Sequence, residues 1–257
     1  MDLGLNGRRA LVTGASRGLG AAIARTLAEE GAEVVAAART VGQIEAWARD
    51  LGPGAGRVLP MRLDMADPAS VEALVAGAGE VDILVGNTGG PPPGLAAETP
   101  RDAWLRQFET MAANLFHLAN GLLPAMRARG WGRIVVVGSS GIEQPIPNLA
   151  LSNGVRAAIA GWAKTLAAEV AGDGVTVNMV LPGRIHTDRL DELDAANAER
   201  QGKAVDDLRA ASRATIPVGR YGRPDEFAAA VAFLCGAQAS YVTGIRLRVD
   251  GGLVRSA

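Results

Sequence analysis

The sequence predicts an α/β protein built as one doubly wound parallel sheet with helices on both faces. Short apolar, β-rich runs alternate with longer stretches of helical periodicity from one end of the chain to the other, the pattern of a βαβα fold. The runs are nearly continuous in apolar residues, which suits strands covered on both faces. No linker or internal repeat divides the 257 residues, a length one large α/β domain can fill, so residues 1–257 are expected to form a single domain.

The first strand, 9–14 (RALVTG), runs into a Gly-rich turn and the helical stretch LGAAIARTLAEEGA. The second, 32–38 (AEVVAAA), precedes the helix TVGQIEAWARDLG, and the third, 57–64 (RVLPMRLD), precedes DPASVEALVAGAG. A fourth strand at 82–87 (DILVGN) leads to a long helical segment, 100–129. The fifth, 133–139 (RIVVVGS), precedes the helix SNGVRAAIAGWAKTLAAEVAGDG, with Val155, Ile159, Trp162, Leu166 and Val170 along one side. The sixth, 175–183 (VTVNMVLPG), is followed by the helix RPDEFAAAVAFLCG and a last strand, 245–251 (IRLRVDG). Several helices end in Gly, as C-caps do. Residues 186–216 break the alternation: they are polar, helical and dense in charge. Because they leave from the carboxyl end of a strand, where open α/β sheets bind ligands, they are expected to form a substrate lid rather than a solvated excursion.

Composition narrows the function classes. The 26 basic and 27 acidic residues give a net charge of −1, with no basic footprint for nucleic acid and no polybasic membrane anchor. No stretch approaches the roughly 18 apolar residues of a membrane span, and the N-terminus lacks a signal-like apolar core, so a soluble, cytoplasmic protein is expected. Cys235 lies alone in an apolar run and reads as a buried, inert thiol; with only His117 and His186 besides, no metal site is expected.

The first turn carries a dinucleotide signal. Gly14, Gly18 and Gly20, with Ser16, Arg17 and Leu19 between them, are spaced G-x-x-x-G-x-G. Gly permits the tight turn and lets N–H groups at a helix N-terminus approach a pyrophosphate. At the end of the second strand a carboxylate would hydrogen-bond the ribose 2′-hydroxyl of NAD. Here Ala38 is followed by Arg39, and Arg17 stands in the turn; two cations and no acid favour NADP(H) over NAD(H).

TGASRGLG (13–20), LD (63–64), NTGG (87–90), GRIVVVGSS (132–140), VTVNMVLPGRIHTD (175–188) and the segment 222–252 together resemble the short-chain dehydrogenase/reductase family, closest to its 3-oxoacyl-[acyl-carrier-protein] reductase-like branch. The resemblance covers nearly the whole chain in the family's order. It implies a Rossmann-type fold around a seven-stranded parallel sheet, assembled as a homotetramer or homodimer, and a small-molecule carbonyl or alcohol as substrate. It also implies that Asp64, with Met65 beside it, meets the adenine and that Asn87 and Gly89 line the adenosine ribose. Pro182, Gly183, Ile185 and Thr187 would frame the nicotinamide carboxamide.

The catalytic end departs from the family's Asn–Ser–Tyr–Lys set. Ser139 matches the Ser; the Tyr position, thirteen residues on, holds Ser152; the Lys position holds Arg156; and Met111 stands for the Asn. A serine hydroxyl is a far weaker acid than a tyrosine phenol, whose pKa is about 10. Arg156 keeps the charge and can grip ribose hydroxyls, but it does not pass protons. A relay through Ser139, Ser140 and Ser152, an acid at Glu143, or the amide of Asn114 could stand in. Two readings follow: an NADP(H)-dependent oxidoreductase with an altered proton-transfer site, or a catalytically impaired NADP(H)-binding protein serving as sensor or partner subunit.

Overall fold

A computed structural model describes residues 2–255. Seven strands form a single, wholly parallel sheet: β1 (Arg9–Thr13), β2 (Glu33–Ala38), β3 (Val58–Arg62), β4 (Ile83–Gly86), β5 (Gly132–Val137), β6 (Val175–Pro182) and β7 (Arg246–Val249). Their order is β3-β2-β1-β4-β5-β6-β7, so the chain reverses its winding between β1 and β4. The crevice outside the carboxyl ends of those two strands is where an open α/β sheet takes its ligand.

The unbroken apolar runs have a direct cause in the packing. Successive strand residues point to opposite faces, and both faces are covered. Leu11, Leu84, Ile134 and Val177 pack with Leu115, Leu118, Val155 and Ile159 in one core. Val12, Ile83, Val135 and Val180 pack with Ile23, Leu27, Phe227 and Val231 in the other. The first core lies under α3 (Pro68–Gly77), α5 (Asn114–Ala128) and α6 (Ala150–Val170); the second lies under α1 (Gly18–Glu29) and α9 (Pro224–Cys235). Helix α2 (Val41–Ala48) adds Ile44 and Trp47 to the second core, where the Trp47 indole donates to the Ala15 carbonyl at 3.0 Å. Cys235 is fully buried there, and burial pushes its thiol up to about 12.

Three local departures from the expected elements matter for the site. The segment 100–129 is two helices, α4 (Arg101–Phe108) and α5, joined by one wide π turn at Glu109–Ala113 that sinks Met111 into the core. Strand β5 stops at Val137, because the Ser139 hydroxyl accepts the Gly141 N–H at 3.0 Å and caps a short 3₁₀ turn instead. Residues 186–216 are α7 (Asp188–Gln201) and α8 (Val205–Ala214), with the Thr187 hydroxyl capping α7 by accepting the Leu190 N–H. Among the described residues no helix is long and apolar enough to cross a membrane.

Candidate active site

The Gly-rich turn is built by close backbone approach. A Cβ on Gly20 would lie 2.1 Å from the Gly14 carbonyl oxygen, and one on Gly14, where φ is +62°, would lie 2.8 Å from the Asn87 main chain. Any larger residue at either position would open the turn. Helix α1 then starts at Gly18 with Arg17 as its N-cap, no capping side chain and no acid in its first turn. Its first N–H groups, including those of Leu19 and Gly20, are therefore left for an anion such as a diphosphate. Ser16 is half-buried in the same turn. Thr13 ties the two strands of the crevice together: its hydroxyl accepts the Asn87 N–H at 2.8 Å and donates to the Asn87 carbonyl at 2.9 Å.

Beyond the Gly-rich turn, Arg39 is exposed just past β2, and Gly89 is exposed with open space where a Cβ would stand. Asp64 holds its own loop, accepting the Ala66 N–H at 3.0 Å, while Asn114 donates to the Met65 carbonyl at 2.8 Å. Asn114 thus supports the loop expected to meet the adenine and is not positioned as a substitute for the missing Asn. Arg17 is ion-paired to α7, 3.2 Å from Glu192 and 3.7 Å from Asp188.

The β6 loop forms the other lip. Gly183 lies against Asp250, whose Cα would be 2.6 Å from an added Cβ, and donates to the Val249 carbonyl at 3.0 Å. Ile185 is buried while Pro182 and Thr187 are half-buried. Thr187 faces the Gly-rich turn, its Cγ2 only 3.7 Å from where a Gly18 Cβ would stand.

Between these lips, Arg156 of α6 reaches the carboxyl end of β5, two residues before Ser139, and Ser152 stands one turn before Arg156 on α6. Arg156 is 8% exposed, donating to the carbonyls of Val137 at 2.9 Å and Thr88 at 3.4 Å. Burial alone pushes its guanidinium down to about 10, and no carboxylate pairs with it among the described residues. Ser139 uses its oxygen lone pair on Gly141 and keeps its O–H free to donate. Ser152 is not the cap of α6, whose N-cap is Leu149; it sits inside the first turn, half-buried, with no side-chain hydrogen bond among the described residues. Its neighbour Asn153 clasps Ile146, donating to the carbonyl at 2.9 Å and accepting the N–H at 3.3 Å, so the 140–149 loop is held on the helix.

Two other stand-ins point elsewhere. The Glu143 carboxylate lies 3.2 Å from Arg248 and 3.8 Å from Arg246, so its oxygens are engaged by two guanidinium groups of β7. The Tyr221 hydroxyl donates to the buried Asp194 at 2.9 Å, and Tyr241 is fully exposed. Thr13, Asn153 and the Thr88 and Val137 carbonyls escaped sequence reasoning. Thr13, the one hydroxyl ending an apolar strand just before Gly14, carried a usable signal; backbone carbonyls carry none.

Beside the junction opens a cavity of about 350 Å³, walled by Ser140, Ile146 and Leu149 on one side and by Leu190, Leu193 and Asn197 of α7 on the other. Ser140 reaches it directly; Ser139, Ser152 and Arg156 lie beside it rather than in its lining.

The family model described as Enoyl-(Acyl carrier protein) reductase matches residues 14–254. The chain is 38% identical over 257 residues to 3-oxoacyl-[acyl-carrier-protein] reductase of Escherichia coli (strain K12), covering 98% of this chain and 99% of the relative. Among solved structures, L-sorbose reductase from Gluconobacter frateurii, complexed with NADPH and L-sorbose, superposes with a TM-score of 0.93 at 34% identity over 100% of both chains. An actinorhodin polyketide ketoreductase variant with NADPH gives a TM-score of 0.91 at 34% identity, covering 97% of this chain and 98% of the other.

Proposed function

We propose, because this chain belongs to the short-chain dehydrogenase/reductase family, that it is an NADP(H)-dependent oxidoreductase interconverting a small-molecule carbonyl and an alcohol at an altered proton-transfer site. The observation that carries this reading is Arg156: a buried guanidinium with no carboxylate partner among the described residues, kept at the carboxyl ends of the central strands. The residues present fit a dinucleotide. The uncapped start of α1, the glycine approach at Gly14 and Gly20, the open face at Gly89 and Arg39, unpaired among the described residues, offer sites for a diphosphate, a ribose and a 2′-phosphate. When bound, the nicotinamide supplies or accepts the hydride.

The chain's own groups do the rest. The Ser139 O–H donates to the carbonyl oxygen, and the remaining N–H groups of Arg156 hold ribose hydroxyls while its fixed charge favours a developing alkoxide. Neither serine is acidic enough to be the proton's source. Ser139 and Ser152 relay it from water, and a rate roughly 10²–10⁴ below that of a site with a positioned acid is expected. Residues 186–216 act as the lid: Leu190, Leu193 and Asn197 already wall the cavity. The exposed Leu105 and Phe108 on α4, beside the stacked Phe116 and Trp162, support a homotetramer or homodimer, which light scattering tests.

The test is NADPH oxidation by purified protein across a panel of ketones and aldehydes. Turnover that falls about 10²-fold in Ser139→Ala, with nucleotide affinity unchanged, supports the proposal; tight NADPH binding with no turnover of any carbonyl favours the second reading, a nucleotide-binding sensor or partner subunit. The three replaced positions, Met111, Ser152 and Arg156, are what keep that second reading in play.

A further inference from the structure

Arg17 belongs to the Gly-rich turn, yet its guanidinium is held from across the crevice. Nη1 lies 3.2 Å from Glu192 and 3.7 Å from Asp188, both near the start of α7. Arg189 pairs with the same Glu192 at 3.3 Å and reaches the Pro91 carbonyl at 3.5 Å. Hydrogen bonds from Arg17 and Arg189 hold the Glu192 carboxyl below the usual carboxylate range. Arg39, the other cation at this end, has no such partner among the described residues.

We propose that Asp188 and Glu192 are coenzyme-discriminating residues: they compete with a ribose 2′-phosphate for Arg17 and so limit the preference for NADPH over NADH. The inference rests on the cofactor reading above. A phosphate arriving at Arg17 must share the cation with two carboxylates and meets their repulsion; a nucleotide lacking that phosphate meets neither cost. All three side chains are about half exposed or more (54% for Arg17, 72% for Asp188, 48% for Glu192), so water screens the pairs and the penalty is a few-fold rather than absolute. A contact that merely closed the lid would act on both nucleotides alike.

The experiment is a fluorescence titration of NADPH and NADH at low salt into wild type, Asp188→Asn/Glu192→Gln, Arg17→Ala and the triple variant. The double variant should bind NADPH about three- to tenfold more tightly, with NADH changed less than about twofold, and in the Arg17→Ala background the same neutralisation should give a clearly smaller NADPH gain, that from relieved repulsion alone. Equal shifts for both nucleotides, weaker NADPH binding, or an NADPH gain undiminished without Arg17 would overturn the competition alone. A wild type that binds neither nucleotide overturns it together with the cofactor reading. Should the double variant not fold, Glu192→Gln carries the same test at about two- to threefold.

Discussion

Arg156 donates to the main-chain oxygen of Val137 at 2.9 Å, and that carbonyl, not a carboxylate, is the nearest partner of a buried cation. Burying a charge without a counter-ion costs stability, and the two carbonyls Arg156 meets leave further N–H donors for a ligand. Arg156→Met is therefore expected to leave the melting temperature unchanged or raised while weakening NADPH binding at least about tenfold. Thermal unfolding and fluorescence titration of the same preparation check both halves. The guanidinium stays charged below about pH 10, so NADPH affinity should show no change attributable to this group between pH 6 and 9.

Ser139 and Ser152 are held differently. Ser139 is oriented by the Gly141 N–H, whereas the Ser152 hydroxyl has no protein partner among the described residues. Ser139→Ala should cost about 10²-fold in kcat and Ser152→Ala less than about tenfold. Ser152→Tyr, which puts a phenol one helical turn from the Arg156 cation, should raise kcat by at least about tenfold. Steady-state kinetics with one good carbonyl substrate ranks the three; a larger loss at Ser152→Ala than at Ser139→Ala contradicts the assignment.

Helices α7 and α8 are fastened by one buried acid. Asp194, with 0% exposure, takes a hydrogen bond from Tyr221 at 2.9 Å and pairs with Arg184 at 3.2 Å. Asp194→Ala removes the partner of Tyr221, of Arg184 and, at 3.9 Å, of Arg209, at a cost of about 1–3 kcal/mol, confined largely to α7 and α8. Limited proteolysis should then cut within 186–216 well before global unfolding, and KM should rise more than kcat falls.

Cys235 links stability to alkaline pH. Its folded value of about 12 lies above the unfolded value of 9.0, so the folded state holds the proton more tightly. The resulting stabilisation is complete below pH 9 and is lost as pH rises toward 12. Urea unfolding from pH 8 to 11 should show this loss in wild type and less of it in Cys235→Ala. In native protein at pH 8 the buried thiol should not react with a thiol reagent; unfolding should expose it.

The fold was legible because its signal is local and repeated: each apolar run is short, and each is covered on both faces by helices that carry their own period. The Gly-rich turn was legible for the same reason, since Gly14, Gly18 and Gly20 are neighbours in sequence. What escaped the sequence is pairing at long range. Glu143 looked free to act as an acid, but its partners Arg246 and Arg248 come from a strand about a hundred residues on. Arg17 looked free to meet a phosphate, but Glu192 reaches it from a helix 175 residues away. Asn114, one turn from Met111, was drawn to the Met65 carbonyl, a backbone group that no residue pattern announces.

The central claim is that hydride transfer survives with Ser139, Ser152 and Arg156 in place. Purified protein incubated with NADPH carrying deuterium at its transferable C4 position, and with a panel of carbonyl compounds, tests this directly by mass spectrometry of the products. The account predicts a single deuterium on the carbinol carbon of at least one alcohol product, strongly reduced in Ser139→Ala. Saturating NADPH binding with no deuterium in any product would contradict it.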